Sequence, residues 1–381
     1  MKAHTQRLLL AMMLLIATGS AFAQENVPAT PEQPDTVVAR PKPDLMHRIG
    51  NFFTRYFKDF NETDTSYIEP QHYNYAFMMQ NTNTYETYRL RSKSGQSIHF
   101  APKPTYRIGP FFGWRWIFLG YTFDISHITN TSNKKEFDIS LYSNLMCVDL
   151  YYRKTGTDYL IRQIDFNDGA GKRKLHGVAF DGLNVGITGV NLHYIFNHKR
   201  FSYPAAFSQS TVQRRSCGSA LAGFGYTRHS ISLDHERLQE VVGKAMANNV
   251  DGQQEARIDS GLMFRQVHYT DLSMSGGYAY NWVFAHNWLL AASLSLAVGY
   301  KRATGDLRKD ELTILHDFSF KNVVLDGTGR LGIVWNNTKW FAGMSTIVHS
   351  YSFRKQQFST NNNFGYLNFY VGFNFNRKKG H

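Results

Sequence analysis

The chain has 381 residues with 42 Lys and Arg against 29 Asp and Glu, a formal net charge of +13, and 15% aromatic residues. Two cysteines, Cys147 and Cys217, exclude a disulfide scaffold; they read as small packing residues, with one disulfide between them left open. After the first residues no apolar run reaches about 18 residues, which excludes transmembrane helices.

Residues 1–23 read as a signal peptide. Lys2 and Arg7 make the positive region, Leu8 to Ala17 the apolar one, and Ala21-Phe22-Ala23 the cleavage site before Gln24. Without Lys2 and Arg7 the mature chain keeps a charge of about +11. In an exported chain that balance points to outer-membrane lipid and lipopolysaccharide phosphate, or to plain solubility, and not to nucleic acid. Residues 24–43, rich in Pro and polar residues, read as a flexible leader. In 44–60, Leu45, Ile49, Phe52, Phe53, Tyr56, Phe57 and Phe60 fall at helical spacing among Arg48, Arg55 and Lys58. That is a basic amphipathic helix, suited to a membrane face or to capping a barrel mouth. Residues 44–83 are grouped as this helix and a periplasmic, plug-like segment.

From Thr84 the pattern is strand after strand, expected at 84–93, 96–113, 117–126, 137–153, 157–166, 180–196, 213–233, 257–284, 287–301, 320–335, 339–352 and 364–376. Short aromatic-flanked connections alternate with long polar ones, as in barrels with tight turns on one side of a membrane and long loops on the other. Counting back from a strand that ends in the periplasm puts 127–136, 167–176, 234–256, 302–317 and 353–363 outside. The long connection 197–212 then falls inside. The expected fold is all-β, a transmembrane antiparallel barrel of about twelve strands over 84–376, followed by a basic tail at 377–381. A further strand at 72–80 would make thirteen. All six tryptophans, Trp114, Trp116, Trp282, Trp288, Trp335 and Trp340, lie by turns on the periplasmic side, where an aromatic girdle belongs.

With the apolar set turned outward, the other set lines the lumen. Arg107, Asp124, Asp149, Arg153, Arg215, Asp271, Asp326 and Arg330 are the charged candidates, four of each sign. Mixed signs favour internal pairing that fills a small barrel, with a narrow solute pathway as the other reading. No G-x-S-x-G, H-E-x-x-H, P-loop or paired C-x-x-C motif is present, so no catalytic residue, metal site or cofactor is assigned. A Ser–His or Asp–His pair assembled across strands from His268, His349, Ser345 and Asp271 is the route to the alternative, a lipid or peptide hydrolase on the barrel wall.

The segments NLHYIFNHKRFSYPAAFSQSTVQRRSCGSALAGFGY (191–226), FAPKPTYRIGPFFGWRWIFLGYTFDI (100–125) and DTSYIEPQHYNYAF (64–77) resemble a Bacteroidetes family catalogued as domain of unknown function 4421. The resemblance implies an outer-membrane barrel and supplies no activity. Its most distinctive run, Tyr203, Pro204, Ala205, Ala206 and Phe207, suits a turn folded into the barrel mouth, either as a structural plug or as a gate or contact for a periplasmic partner. The final strand, GYLNFYVGFNF, turns Leu367, Phe369, Val371, Phe373 and Phe375 to lipid. Its aromatic end resembles the signal read by the barrel assembly machinery. The expected function is a non-enzymatic envelope protein: a narrow channel or a structural and interaction barrel.

Overall fold

Alternation of apolar and polar residues, which gives a strand two unlike faces, governs most of the chain. The computed structural model describes residues 63–378 except 104, 115–116, 121, 125–134, 156–157, 168–171, 250–256, 306–321 and 355–357. The signal peptide, leader and amphipathic helix expected over 1–60, with 379–381 of the basic tail, lie outside the described residues. In chain order the strands are β1 (Ile68–Pro70), β2 (Tyr73–Ser92), β3 (Ser97–Pro102), β4 (Thr105–Trp114), β5 (Ile117–Gly120) and β6 (Phe123–Asp124). Next come β7 (Lys135–Tyr142), β8 (Met146–Lys154), β9 (Tyr159–Asp165), β10 (Lys172–Phe180), β11 (Leu183–Ile195) and β12 (Thr211–Gln213). The chain ends with β13 (Cys217–Leu233), β14 (Gln266–Ala285), β15 (Trp288–Gly305), β16 (Val323–Asn336), β17 (Trp340–Arg354) and β18 (Phe358–Arg377). Among the described residues two α-helices, α1 (Pro204–Phe207) and α2 (His235–Asn249), sit in connections. No described helix is long and apolar enough to cross a membrane.

The wall is an unbroken antiparallel run: β4 on β2, β2 on β18, then β17, β16, β15, β14, β13, β11, β8 and β7. β5 and β6 both pair with β4 and are two pieces of one strand, so twelve strands make the wall. Among the described residues no pairing joins β5 or β6 to β7. β3, β9 and β10 branch from the upper half of β2 instead of extending the wall. Under this branch lies an apolar core that takes Phe100, Ile161, Ile164 and Phe180 from it, and Leu238 and Val242 from α2.

The two faces of the wall invert those of a soluble sheet. Met274 is 74% exposed, with Tyr278, Leu294, Leu296, Val298, Leu325 and Leu331 beside it on the outward register. Their chain neighbours turned inward are polar and buried, among them Asp271, Ser273, Asn281, Ser293, Ser295, Lys301, Asp326 and Arg330. The last strand follows the same rule, with Phe369, Val371 and Phe375 exposed and Asn368, Tyr370 and Asn374 buried. Trp114, Trp282, Trp288, Trp335 and Trp340 all lie where wall strands meet tight connections at one end.

The structure differs from the expected strand set in several places; the expected strand 96–113 splits into β3 in the branch and β4 in the wall, and β10 begins within the expected loop 167–176. The first strand begins at Tyr73, not Thr84, so 73–83 belong to the wall and 72–80 adds no thirteenth strand. The polar run Gln80–Thr84 hides this continuity because its outward amides are satisfied locally. Asn83 Nδ2 donates to Asn81 Oδ1 (2.7 Å) and Asn81 Nδ2 to the Arg107 carbonyl (3.1 Å). Residues 137–153 are a hairpin, not one strand: the Ser143 hydroxyl accepts from Met146 N (2.9 Å) and turns the chain without a glycine. Conversely, 157–166 leaves the wall for the branch. These two differences cancel in the count, so the twelve survives with changed membership. The connection at 154–156, expected at the tight-turn end, therefore lies at the opposite one.

Candidate functional site

Among the described residues, buried charged and polar side chains converge in the lumen. Midway along it, Asp149 on β8 and Arg330 on β16 form an ion pair that bridges strands separated by β11, β13, β14 and β15 in the wall. Both are buried, and Ser140 Oγ donates to Asp149 Oδ1 at 2.7 Å. Cys147 stands 3.9 Å from the same oxygen. Arg153 lies over the Phe364 ring, 4.6 Å from its centroid.

A second charged group lies on β14, β15 and β16. Lys301 Nζ is 2.7 Å from Asp326 Oδ2 and 3.6 Å from Asp271 Oδ2, and donates to the Ser352 carbonyl. Asp326 Oδ1 also accepts from Ser352 N at 2.8 Å. Gly299 permits this packing: a Cβ there would come within 2.4 Å of Asp271 Oδ1. Between the groups the Tyr151 and Tyr351 hydroxyls meet at 2.5 Å, with Asn191 Nδ2 3.3 Å from Tyr351. Tyr269 stacks between His229 and Phe353, with centroids 4.4 and 4.2 Å away. Among these side chains lies a cavity of about 20 Å³ lined by Asn191, His193, Ser273, Asp326 and Tyr351 among others. That is room for about one water molecule.

The Tyr203–Phe207 run closes one end. Pro204 opens α1, and Ala205 and Ala206 are buried against Leu289, Val334, Phe341 and Tyr370 of the wall. Gln209 Nε2 donates to the Tyr370 hydroxyl (3.0 Å) while Gln209 Oε1 accepts from Asn336 Nδ2 (3.0 Å). Asn281 Nδ2 holds the Ser202 carbonyl (2.8 Å), and Arg330 reaches to 5.9 Å from the Tyr203 ring. β12, just after this plug, pairs with β1, and Arg214 forms an ion pair with Glu69. The N-terminal part of the described chain is thus clipped to the plug.

Of the eight charged residues expected in the lumen, Asp149, Arg153, Asp271, Asp326 and Arg330 are buried there. Arg107 and Asp124 are register partners on β4 and β6, both on the inward register. Arg215 is not inside: β13 starts only at Cys217, so Arg215 lies exposed in the connection, 5.7 Å from the centroid of Tyr67. Among His268, His349, Ser345 and Asp271 no hydrogen bond forms; His268 has the outward register, and His349 Nδ1 meets Thr328 Oγ1 at 3.2 Å. Sequence reading missed Lys301, which alternation places inward but which stands where the strand was expected to end. It also missed Gln209 and His193, whose roles depend on strands far away in sequence. Cys147 and Cys217 are both free thiols.

Solved structures similar to this chain include three outer-membrane proteins. The outer membrane protease OmpT from Escherichia coli is 7% identical over 79% of this chain and 97% of its own, with a TM-score of 0.35. The translocator domain of the autotransporter NalP from Neisseria meningitidis is 12% identical over 87% and 98%, with a TM-score of 0.30. The toluene transporter TodX of P. putida is 7% identical over 80% and 91%, with a TM-score of 0.20. Comparison with curated proteins gave no match. The model of one family, domain of unknown function (DUF4421), matches residues 62–375, from just before β1 almost to the end of β18, and the chain belongs to that family.

Proposed function

We propose that this chain is an outer-membrane barrel held shut, acting as a structural or interaction protein of the envelope and not as an open pore or a hydrolase. The observation that carries this reading is the occupied lumen: among the described residues a cross-wall ion pair, a second charged group and a plug fill it with buried side chains. The outward belt supports the membrane part. From Leu272 to Phe284 the exposed face of β14 is free of charge. Twelve steps of about 3.4 Å at a tilt of about 40° give about 30 Å of height, close to a bilayer's hydrocarbon thickness. With the plug end in the periplasm, its exposed Arg200 and Arg215 face that compartment, and α2 stands outside the cell. Lipid contact, delivery by the assembly machinery and export by the expected signal peptide belong to this reading.

The test is conductance in planar bilayers. The native protein is expected to give no steady current, and a variant with Tyr203–Phe207 replaced by Gly-Ser residues is expected to give steps. Steady native current would overturn the closed reading in favour of a narrow channel. Tags placed in 250–256 are expected to be accessible on intact cells.

A further inference from the structure

Cys147, Asp149 and His193 each bring a metal-ligand atom to within 4.8 Å of the others, and all three are buried. Cys147 and Asp149 point inward at i and i+2 on β8; His193 is the register partner of Cys147 on β11. Backbone pairing therefore holds the three together, independently of any loop.

Two further observations point to an ion. His193 is 4% exposed, and its Nδ1 is buried with no hydrogen-bond partner, although protein interiors rarely leave such an atom unpaired. His193 also lines the water-sized cavity, where a solvent ligand fits beside the imidazole. Asp149 is already oriented as a ligating carboxylate should be: Arg330 holds Oδ2 and Ser140 Oγ donates to Oδ1, whose other lone pair faces the Cys147 thiol 3.9 Å away and is released when that thiol loses its proton.

We infer that Cys147, Asp149 and His193 form a binding site for a thiophilic divalent cation, with zinc as the best match. A tetrahedral zinc with one sulfur, one nitrogen and one oxygen ligand places them about 3.3–3.7 Å apart, so small side-chain rotations close the present spacing. Binding forms the Zn–S bond as the Cys147 thiol releases its proton to solvent. The thiolate and carboxylate balance the dication; Arg330 adds one positive charge, which a hydroxide or chloride in the fourth position offsets. Calcium and magnesium fit poorly, because they require mostly oxygen ligands. The expectation from sequence that no metal is held is thereby reversed for this site.

The experiment uses cobalt as a spectroscopic stand-in for zinc. Full-length protein is refolded in detergent with excess cobalt, freed of loose metal on a chelating resin, and checked for heat-modifiable gel mobility. One cobalt per chain with a near-ultraviolet thiolate-to-cobalt band is expected. Cys147→Ser and His193→Gln should abolish the band, Ser140→Ala should weaken affinity by about tenfold, and Cys217→Ser should leave both unchanged. Zinc should displace the cobalt. A native protein without the band, or a band lost in Cys217→Ser and kept in Cys147→Ser, overturns the assignment. Should Cys147→Ser or His193→Gln fail to fold, the native and Cys217→Ser titrations decide alone.

Discussion

Arg330 and Asp149 meet from separated parts of the wall, and neither has water to fall back on. Removing one partner leaves a buried charge uncompensated, whereas replacing both with apolar residues of similar volume does not. Arg330→Met is expected to lower unfolding stability by about 3–5 kcal/mol, and Asp149→Leu/Arg330→Met by less, read from urea midpoints in detergent. The Lys301 group behaves differently, since one cation faces two carboxylates. Asp271→Asn removes a like charge and should stay within about 1 kcal/mol of native, while Lys301→Met should cost about 3–5 kcal/mol. Outside the wall, Asp259 accepts from Ser94 Oγ and from Gly261 N (2.7 Å), and these bonds hold its carboxyl below the usual range. A depressed folded value means the contribution is complete above the ordinary value of about 3.9 and is lost as pH falls through the lower one. The protection of the Gly261 amide, measured relative to its intrinsic exchange rate, should therefore fall as pH drops below about 4 in native protein and not in Asp259→Asn. At this scale alternation alone identified the inward charges, because the strand period is 2 and a register error would have turned them to the outside. It could not place Arg215, whose position depends on where β13 starts. It also could not see that His193 lies beside Cys147, because 46 residues separate them.

Among the elements, the plug shows how a connection comes to occupy a lumen. Pro204 fits the first helical turn, where no amide partner is needed, and the two alanines let α1 approach the wall closely. Gln209 then fastens it with both ends of its amide. Gln209→Ala leaves Asn336 Nδ2 without its acceptor and the Tyr370 hydroxyl with only the Ala206 carbonyl, and is expected to cost about 1–3 kcal/mol. In planar bilayers it should flicker between closed and conducting where the native protein is silent. Tyr203 to Phe207 was recognisable as an unusual turn because a proline and two small residues sit among aromatics. Its depth of insertion was not, since that depends on Leu289, Val334, Phe341 and Tyr370 on four other strands. The hairpin at 143–145 escaped notice for a related reason: its turn is made by a serine hydroxyl, and no glycine or proline marks it.

At the level of the whole molecule, antiparallel order and the outward apolar belt were legible, because outward and inward residues alternate over long stretches, whereas the count of twelve agreed only because a missed hairpin offset a strand lost to the branch. The branch of β3, β9 and β10 was not legible: its strands carry the same alternation but bury it against α2. The pairing of β2 with β18 has a kinetic consequence. Asn83 Nδ2 contacts the Leu367 carbonyl across 284 residues of chain, and Lys378 N reaches the His72 carbonyl at 2.8 Å. This seam can form only after the last strand has been synthesised, and the loop it closes is nearly the whole protein, a slow step for any chain. Until then both edges stand open to pairing with other chains. Deleting 358–377 should thus yield aggregated protein with no heat-modifiable form. Native refolding should slow when Gly365 is enlarged, since a Cβ there would meet the Ile347 carbonyl at 2.0 Å. The closing strand thereby acts as a checkpoint: an incomplete chain cannot pass for a finished one.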